Sequence, residues 1–302
     1  MYDIIIIGSG PAGLTAALYA GRADKSVLVI EKGAFGGQIT LSPKVENIPG
    51  FPVLSGNEFA DKMVDQVLAQ GADFESDEVL EITDHDTVKT VQTASGKYEG
   101  KAVILATGAK HRTLGLPKEA DLIGNGISFC AVCDGAFYKS KTVGVVGGGN
   151  SALQEAILLA DLASDVYLLQ DLPFLTGEPK LQDAVKEKSN IHVLTAVQVL
   201  SYEGEEVLTG VKIRQEGKAE QALSLDGLFL AVGMVPQNEA FLNVADTTEA
   251  GYLDADERCL TKTAGIFAAG DCRSKEIRQV TTAAADGAVA ALAACRYLDR
   301  LS

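Results

Sequence analysis

Cys130 and Cys133 stand three positions apart and are followed at once by Asp134. Two cysteines with two residues between them close a small disulfide when the intervening turn is helical or tight. A nearby helix N-terminus lowers a thiol pKa and gives a reactive thiolate. The chemistry of such a pair is two-electron exchange, in which the dithiol attacks an external disulfide and is itself oxidised. Asp134 is placed to act as general acid–base for the departing thiolate. The competing use is half of a zinc site, which needs two more ligands. No second pair occurs, and His85, His111 and His192 show no ligand spacing, so no metal is expected. Cys259, Cys272 and Cys295 are scattered through apolar or loop surroundings and read as core thiols.

The other chemistry-bearing pattern is glycine-rich. Gly8-Ser9-Gly10-Pro11-Ala12-Gly13 lies between an apolar β-branched run at 4–7 and a helix-prone stretch at 14–21, and Glu31-Lys32 closes the next apolar strand. Glycines at this spacing let a pyrophosphate approach the helix N-terminus, where free N–H groups favour anions. Glu31 is placed to accept from a ribose 2′-OH. The same grammar returns further on: a strand at 141–146, the turn Gly147-Gly148-Gly149-Asn150-Ser151-Ala152, a helix at 153–162 and a strand at 165–169.

This internal repeat organises the chain. Strands that are continuously apolar belong in parallel sheets covered on both faces, and two βαβ starts imply two nucleotide-binding domains. The expected fold is α/β, with two doubly wound three-layer domains, the second inserted into the first. Gly and Pro punctuation places the crossings near 112–116 and 236–241, giving one domain from 1–113 with 241–302 and another from 114–240. Ser55-x-x-Glu58 forms a capping box before a helix at 59–70. A small-residue helix is expected from about 281 to 298, where Asp286 and Gly287 interrupt the apolar pattern, as suits a helix whose start faces a ligand.

With 302 residues, 47% of them hydrophobic, the chain has material for two cores. A formal charge of -15 argues against nucleic acid and anionic membrane as partners, since both are negative. The apolar run at 4–7 is too short for a signal or a membrane span, so a cytoplasmic protein is expected.

Gly36-Gly37-Gln38, Glu46-Asn47-Ile48-Pro49-Gly50, Ala106-Thr107-Gly108, Cys130-Ala131-Val132-Cys133-Asp134-Gly135 and Gly270-Asp271 occur in the order found in low-molecular-weight thioredoxin reductases. The chain resembles that family over essentially its whole length. The resemblance implies FAD in the first domain, with Gly270 and Asp271 at its ribityl and phosphate region and Arg278, Gln279 and Val280 along the flavin. It implies Gly37, Gln38 and Asn47 near the flavin, and Thr107 and Gly108 among the cofactor residues. It also implies that Cys133 faces the flavin while Cys130 attacks a thioredoxin- or glutaredoxin-like partner, that a large rotation between domains alternates the two half-reactions, and that the protein is a homodimer.

One stretch departs from the family. NADPH-using members carry a basic cluster after the second strand of the second domain; here residues 169–176 contain no Arg, Lys or His. Hydrogen bonds to charged groups contribute about 1.5–3 kcal/mol each, so losing two or three disfavours NADPH by orders of magnitude. Asp171, or Gln170, is placed like the acidic residue that binds an unphosphorylated ribose. Residues 168–185 resemble the NADH-using reductase subunit of alkyl hydroperoxide reductase, without that subunit's extra N-terminal thioredoxin-like module. NADH is therefore the expected donor. The alternatives are a ferredoxin-dependent flavin thioredoxin reductase and a redox-sensing protein that binds FAD without turnover.

Overall fold

The computed structural model describes residues 1–42 and 45–301. It contains two units: Met1–Pro43 with Ile48–Lys110 and Val235–Ser302, and Lys44–Asn47 with His111–Met234. The chain passes from one to the other at 110/111 and 234/235, a few residues before each crossing expected from the sequence. The short segment ending at Asn47 groups with the second unit rather than the first.

In the first unit, β1 (Tyr2–Ile7) leads through the glycine turn into α1 (Pro11–Arg22) and β2 (Val27–Glu31). The capping box forms as expected and opens α2 (Gly56–Leu68), Ser55 and Glu58 each accepting from the other's backbone N–H. Then follow β3 (Asp73–Ser76), the hairpin β4 (Val79–His85) and β5 (Val88–Thr93), and the long β6 (Lys97–Leu105). β17 (Ile266–Ala268) and α7 (Val280–Leu298) complete the unit. The parallel strands run β3-β2-β1-β6-β17, and β5 pairs antiparallel with the start of β6. Ile4 and Ile6 face α1 and α7, while Ile5 and Ile7 pack with Ile82, Val91 and Leu253 on the other side. Burial on both faces explains the unbroken isoleucine run.

The second unit repeats the plan. Between β7 (Ala109–His111) and α3 (Glu119–Leu122), the N–H groups of Leu114, Gly115 and Leu116 converge on the Glu119 carboxylate. β8 (Ile127–Ser128), α4 (Ala131–Asp134), β9 (Thr142–Val146), α5 (Asn150–Ala160), β10 (Asp165–Leu169), α6 (Pro179–Glu187) and β11 (Ile191–Leu194) follow. An antiparallel meander of β12 (Val197–Glu203), β13 (Gly210–Gln215) and β14 (Glu220–Ser224) precedes β15 (Gly227–Leu230) and the exit strand β16 (Met234–Pro236). The parallel order is β11-β10-β9-β15-β8. Helices α5 and α6 cover one face and the meander the other.

The repeat places β8 where β17 lies in the first unit. The chain therefore leaves topologically equivalent outer strands into the two turns of interest, Cys130–Asp134 and Gly270–Asp271. Among the described residues no helix is long and apolar enough to cross a membrane.

Candidate functional site

Leaving β8, the chain turns through Cys130 into the one-turn helix α4. Cys130 is the N-cap, its Sγ accepting from the Cys133 amide at 3.2 Å. The two cysteines form a disulfide with Cα atoms 5.3 Å apart, and Val132 between them is exposed. Ser128 ties the turn to the acid: its hydroxyl accepts from the Cys130 amide at 3.1 Å and donates to Asp134 Oδ2 at 2.6 Å. Asp134 Oδ1 is buried with no hydrogen-bond partner. Burial pushes the Asp134 carboxyl above its ordinary range, with the Ser128 hydrogen bond opposing. A carboxyl raised in this way holds a proton closer to neutral pH, as an acid–base group beside a thiol must. Asn47 Nδ2 lies 3.9 Å from Cys133 Sγ. His111 stacks on Phe129 at 4.5 Å, and partial burial lowers it to about 4, so it is a neutral histidine.

In the first unit Pro11 occupies the first turn of α1, and no side chain caps that helix start. A Cβ on Gly13 would overlap the Gly8 carbonyl, so only glycine lets helix and turn pack this closely. Ser9 is fully buried; its amide and hydroxyl both donate to Glu31 Oε2, at 2.8 and 2.9 Å. Lys32 turns instead to Glu78, 3.6 Å away on the surface. Gly37 packs on Gly10, and Gln38 Nε2 donates to the Ala109 carbonyl. Thr107 Oγ1 reaches Asn238 at 3.0 Å, and Gly108 adopts a left-handed φ of 68° beside it. Ala12 of α1 touches Gly270, which brings the Gly270-Asp271 turn to the open end of α1. Asp271 Oδ1 is buried without a partner, and burial raises its carboxyl against the charges of Lys275 and Arg278. Arg278 stacks over Tyr252 at 4.1 Å, Gln279 caps α7 and Val280 begins it. An uncapped helix start, a carboxylate at the end of β2 and an orphaned buried carboxyl oxygen fit a dinucleotide with hydroxyl and phosphate groups to offer.

The second unit rebuilds this turn. The Gly147 amide donates to Leu169 O at 2.9 Å, as the Gly8 amide does to Ile30 O at 2.8 Å. Gly149 is the N-cap of α5, again without a side-chain cap, and Ala152 is fully buried at the position of Gly13. Gln170, not Asp171, takes the place of Glu31. Gln170 is 4% exposed with its amide against Gly148, whereas Asp171 lies one residue further on at the surface. The loop after β10 returns to the turn, the amides of Thr176 and Gly177 donating to Gly148 O at 2.8 and 2.9 Å. Asn150 is engaged at the start of α6, where it accepts from the Glu178 amide and donates to its carboxylate; Ser151 is exposed.

Sequence reasoning missed three groups. Ser128 gave no signal, because a serine before a cysteine is unremarkable. Asp286 was seen only as an interruption of α7. It accepts from the Gly270 amide at 3.0 Å, from Arg273 through two nitrogens at 2.8 and 3.0 Å, and from Lys275 at 3.0 Å, so it anchors the Gly270-Asp271 turn. Glu155 lies three residues after Ala152 and four before Leu159, on their buried stripe of α5, with Oε2 buried and without a hydrogen-bond partner.

Residues 2–287 match the family model described as pyridine nucleotide-disulphide oxidoreductase. The chain is similar to the thioredoxin reductase of Listeria monocytogenes, at 41% identity covering 100% of this chain and 95% of the relative. It is similar also to that of Bacillus subtilis, at 39% identity covering 100% and 96%. Among solved structures, thioredoxin reductase from Streptococcus pyogenes matches with a TM-score of 0.95 and 39% identity, covering 99% of each chain. That from Giardia duodenalis matches at 0.91 and 31%, again over 99% of each chain.

Proposed function

The chain belongs to the pyridine nucleotide-disulphide oxidoreductase family, and on that premise we propose that it passes electrons from NADH, through FAD and Cys130–Cys133, to the disulfide of a thioredoxin- or glutaredoxin-like protein. The observation that carries this reading is the Cys130–Cys133 disulfide on a turn whose last residue, Asp134, is held by Ser128 as a buried acid. The names of the thioredoxin reductases it resembles supply the partner class.

FAD is assigned to the first unit, at Gly8 to Gly13, Glu31, Gly37, Gln38, Thr107, Gly108, Gly270, Asp271 and Arg278 to Val280. NADH is assigned to the second, at Gly147, Gly149 to Ala152 and the Gln170-Asp171 pair. Bound FAD supplies two-electron redox chemistry between a nicotinamide and a disulfide. The chain's own part is thiol exchange. Cys130 Sγ, as thiolate, attacks one sulfur of the partner disulfide; a mixed disulfide forms and the partner's other sulfur leaves as a thiolate. Asp134, oriented by Ser128, gives that sulfur its proton. Cys133 then attacks Cys130, which restores the internal disulfide and frees the second partner sulfur. A homodimer in the cytoplasm completes this reading.

A second reading is favoured by one observation, the absence of any basic side chain at 169–176: electrons would then come from a ferredoxin-type donor. Anaerobic stopped-flow bleaching of the flavin distinguishes the two. NADH is expected to bleach it much faster than NADPH. Negligible bleaching by both nucleotides would overturn the nicotinamide assignment in favour of the second reading.

A further inference from the structure

We propose that the Thr176 hydroxyl is a phosphate ligand of the second glycine turn, donating to the pyrophosphate of the nucleotide bound there. The proposal rests on the assignment of NADH to this unit and adds to it a contact outside the turn itself.

The internal repeat singles the residue out. In each unit the loop after the second strand comes back over the glycine turn. In the first, the Gly36 amide donates to Ser9 O at 3.0 Å. In the second, the amides of Thr176 and Gly177 donate to Gly148 O, the equivalent carbonyl. What each loop then presents to the helix start differs. A Cβ on Gly10, the residue before α1, would lie 4.0 Å from the Gly36 carbonyl oxygen. A Cβ on Gly149, the residue before α5, would lie 3.8 Å from Thr176 Oγ1. A carbonyl oxygen only accepts and offers a phosphate nothing, whereas a hydroxyl donates. The second unit therefore has a side-chain donor where the first has an acceptor.

The loop holds Thr176 in place from both sides. Gln170 Nε2 donates to Phe174 O at 3.4 Å, before it. Gln182 Nε2 of α6 donates to Leu175 O and Gly177 O, at 3.3 and 2.7 Å, on either side of it. Gly177 is buried, and a Cβ there would come within 2.4 Å of Leu153 Cδ1, so the loop lies directly against the start of α5. With its backbone fixed in this way, Thr176 gives up little more than the rotation of one short side chain when it meets a ligand.

The chemistry of the loop leaves Thr176 as the donor. Within residues 169–176 only Gln170, Asp171 and Thr176 have polar side chains. Gln170 is buried with its amide nitrogen on Phe174 O, and Asp171 carries the charge a phosphate avoids. Thr176 is exposed, and its hydroxyl takes part in none of the bonds that pin the loop. At the helix start itself, Asn150 is engaged with Glu178, its Nδ2 donating to that carboxylate at 3.0 Å. No side chain caps α5, so its first N–H groups and the Thr176 hydroxyl face the same place. A pyrophosphate there is bound by backbone and hydroxyl donors, without a cation from the loop.

ADP is the probe, because it carries the adenosine and both phosphates of the nucleotide without its nicotinamide. It is titrated calorimetrically into the FAD-loaded protein, so that the first unit is already filled. Thr176→Val keeps the branched shape and removes the hydroxyl. Its ADP affinity should fall by about tenfold or more, which is what one hydrogen bond to a charged group contributes. Thr176→Ser returns a hydroxyl and should recover most of the loss. Adenosine, followed by saturation-transfer NMR, has no phosphate and should bind the parent and Thr176→Val alike. An unchanged ADP affinity in Thr176→Val would overturn the proposal and leave the NADH assignment standing. So would an equal loss in Thr176→Ser, or a matching loss for adenosine, since either assigns the effect to shape. A parent protein that binds no ADP would overturn the assignment itself, and the proposal with it.

Discussion

Gln170 holds in the second unit the position that Glu31 holds in the first. Each follows the strand residue whose carbonyl accepts the amide of the turn's first glycine, Leu169 for Gly147 and Ile30 for Gly8. A carboxylate that accepts from the Ser9 amide and hydroxyl is thus replaced by a buried amide, and the residue after it changes from Lys32 to Asp171.

That change sets the first prediction. On the proposed assignment of NADH to this unit, exposed Asp171 would repel a 2′-phosphate, and residues 169–176 hold no cation to compensate. Replacing Asp171 with Arg should raise kcat/KM for NADPH relative to NADH by at least about tenfold, the lower end of what one charge-assisted hydrogen bond contributes. Steady-state rates with both nucleotides measure the ratio; an unchanged ratio would place the donor elsewhere.

A second prediction separates the two half-reactions. Cys133→Ser removes the internal disulfide and leaves the residues of both glycine turns intact. Flavin bleaching by NADH should persist, while turnover with a protein disulfide should be lost. Retained turnover would remove the cysteines from the pathway.

Much of this was legible in the sequence for a physical reason. The turns are built from glycines whose neighbours leave no room for a Cβ, and Gly13 could not be another residue without displacing the Gly8 carbonyl. Such positions announce themselves by residue type. The disulfide was equally plain, because Cys-x-x-Cys before an acid has few other uses. Partners at long sequence distance were not legible. Asp286 finds Arg273 and Lys275 only because α7 returns beside the Gly270 turn. Between Asp171 and Gln170, both open from the sequence, the strand register puts Gln170 at the position of Glu31.

Ser128 supports a third prediction. Its hydroxyl donates to Asp134 Oδ2, and a hydrogen bond to the ionised form lowers a carboxyl pKa. In Ser128→Ala that restraint is gone, so the Asp134 carboxyl should rise further and stay protonated to higher pH. The pH profile of kcat/KM with the disulfide substrate should move toward alkaline pH, and the maximum should fall by about tenfold, less than the 10²–10⁴ attributed to a whole acid–base group. A profile that falls in height without moving would show that Ser128 only shapes the turn.

The fourth prediction concerns Asp286 and acid stability. Burial alone would raise this carboxyl, but hydrogen bonds and charge from Arg273 and Lys275 outweigh burial and hold it below its ordinary range. A group depressed in the folded state contributes stability that is complete above its unfolded pKa, about 3.9 for Asp, and is lost as pH falls toward the folded value. The unfolding free energy of the native protein should therefore decline below about pH 4 with a contribution from this site. Asp286→Asn should flatten that contribution. At neutral pH it should destabilise the protein by about 3–5 kcal/mol, since it leaves two buried cations without their counter-charge. Urea titrations at a series of pH values decide the matter. If the variant and the parent lose stability in parallel as the solution is acidified, Asp286 is not the group that couples the Gly270-Asp271 turn to protonation.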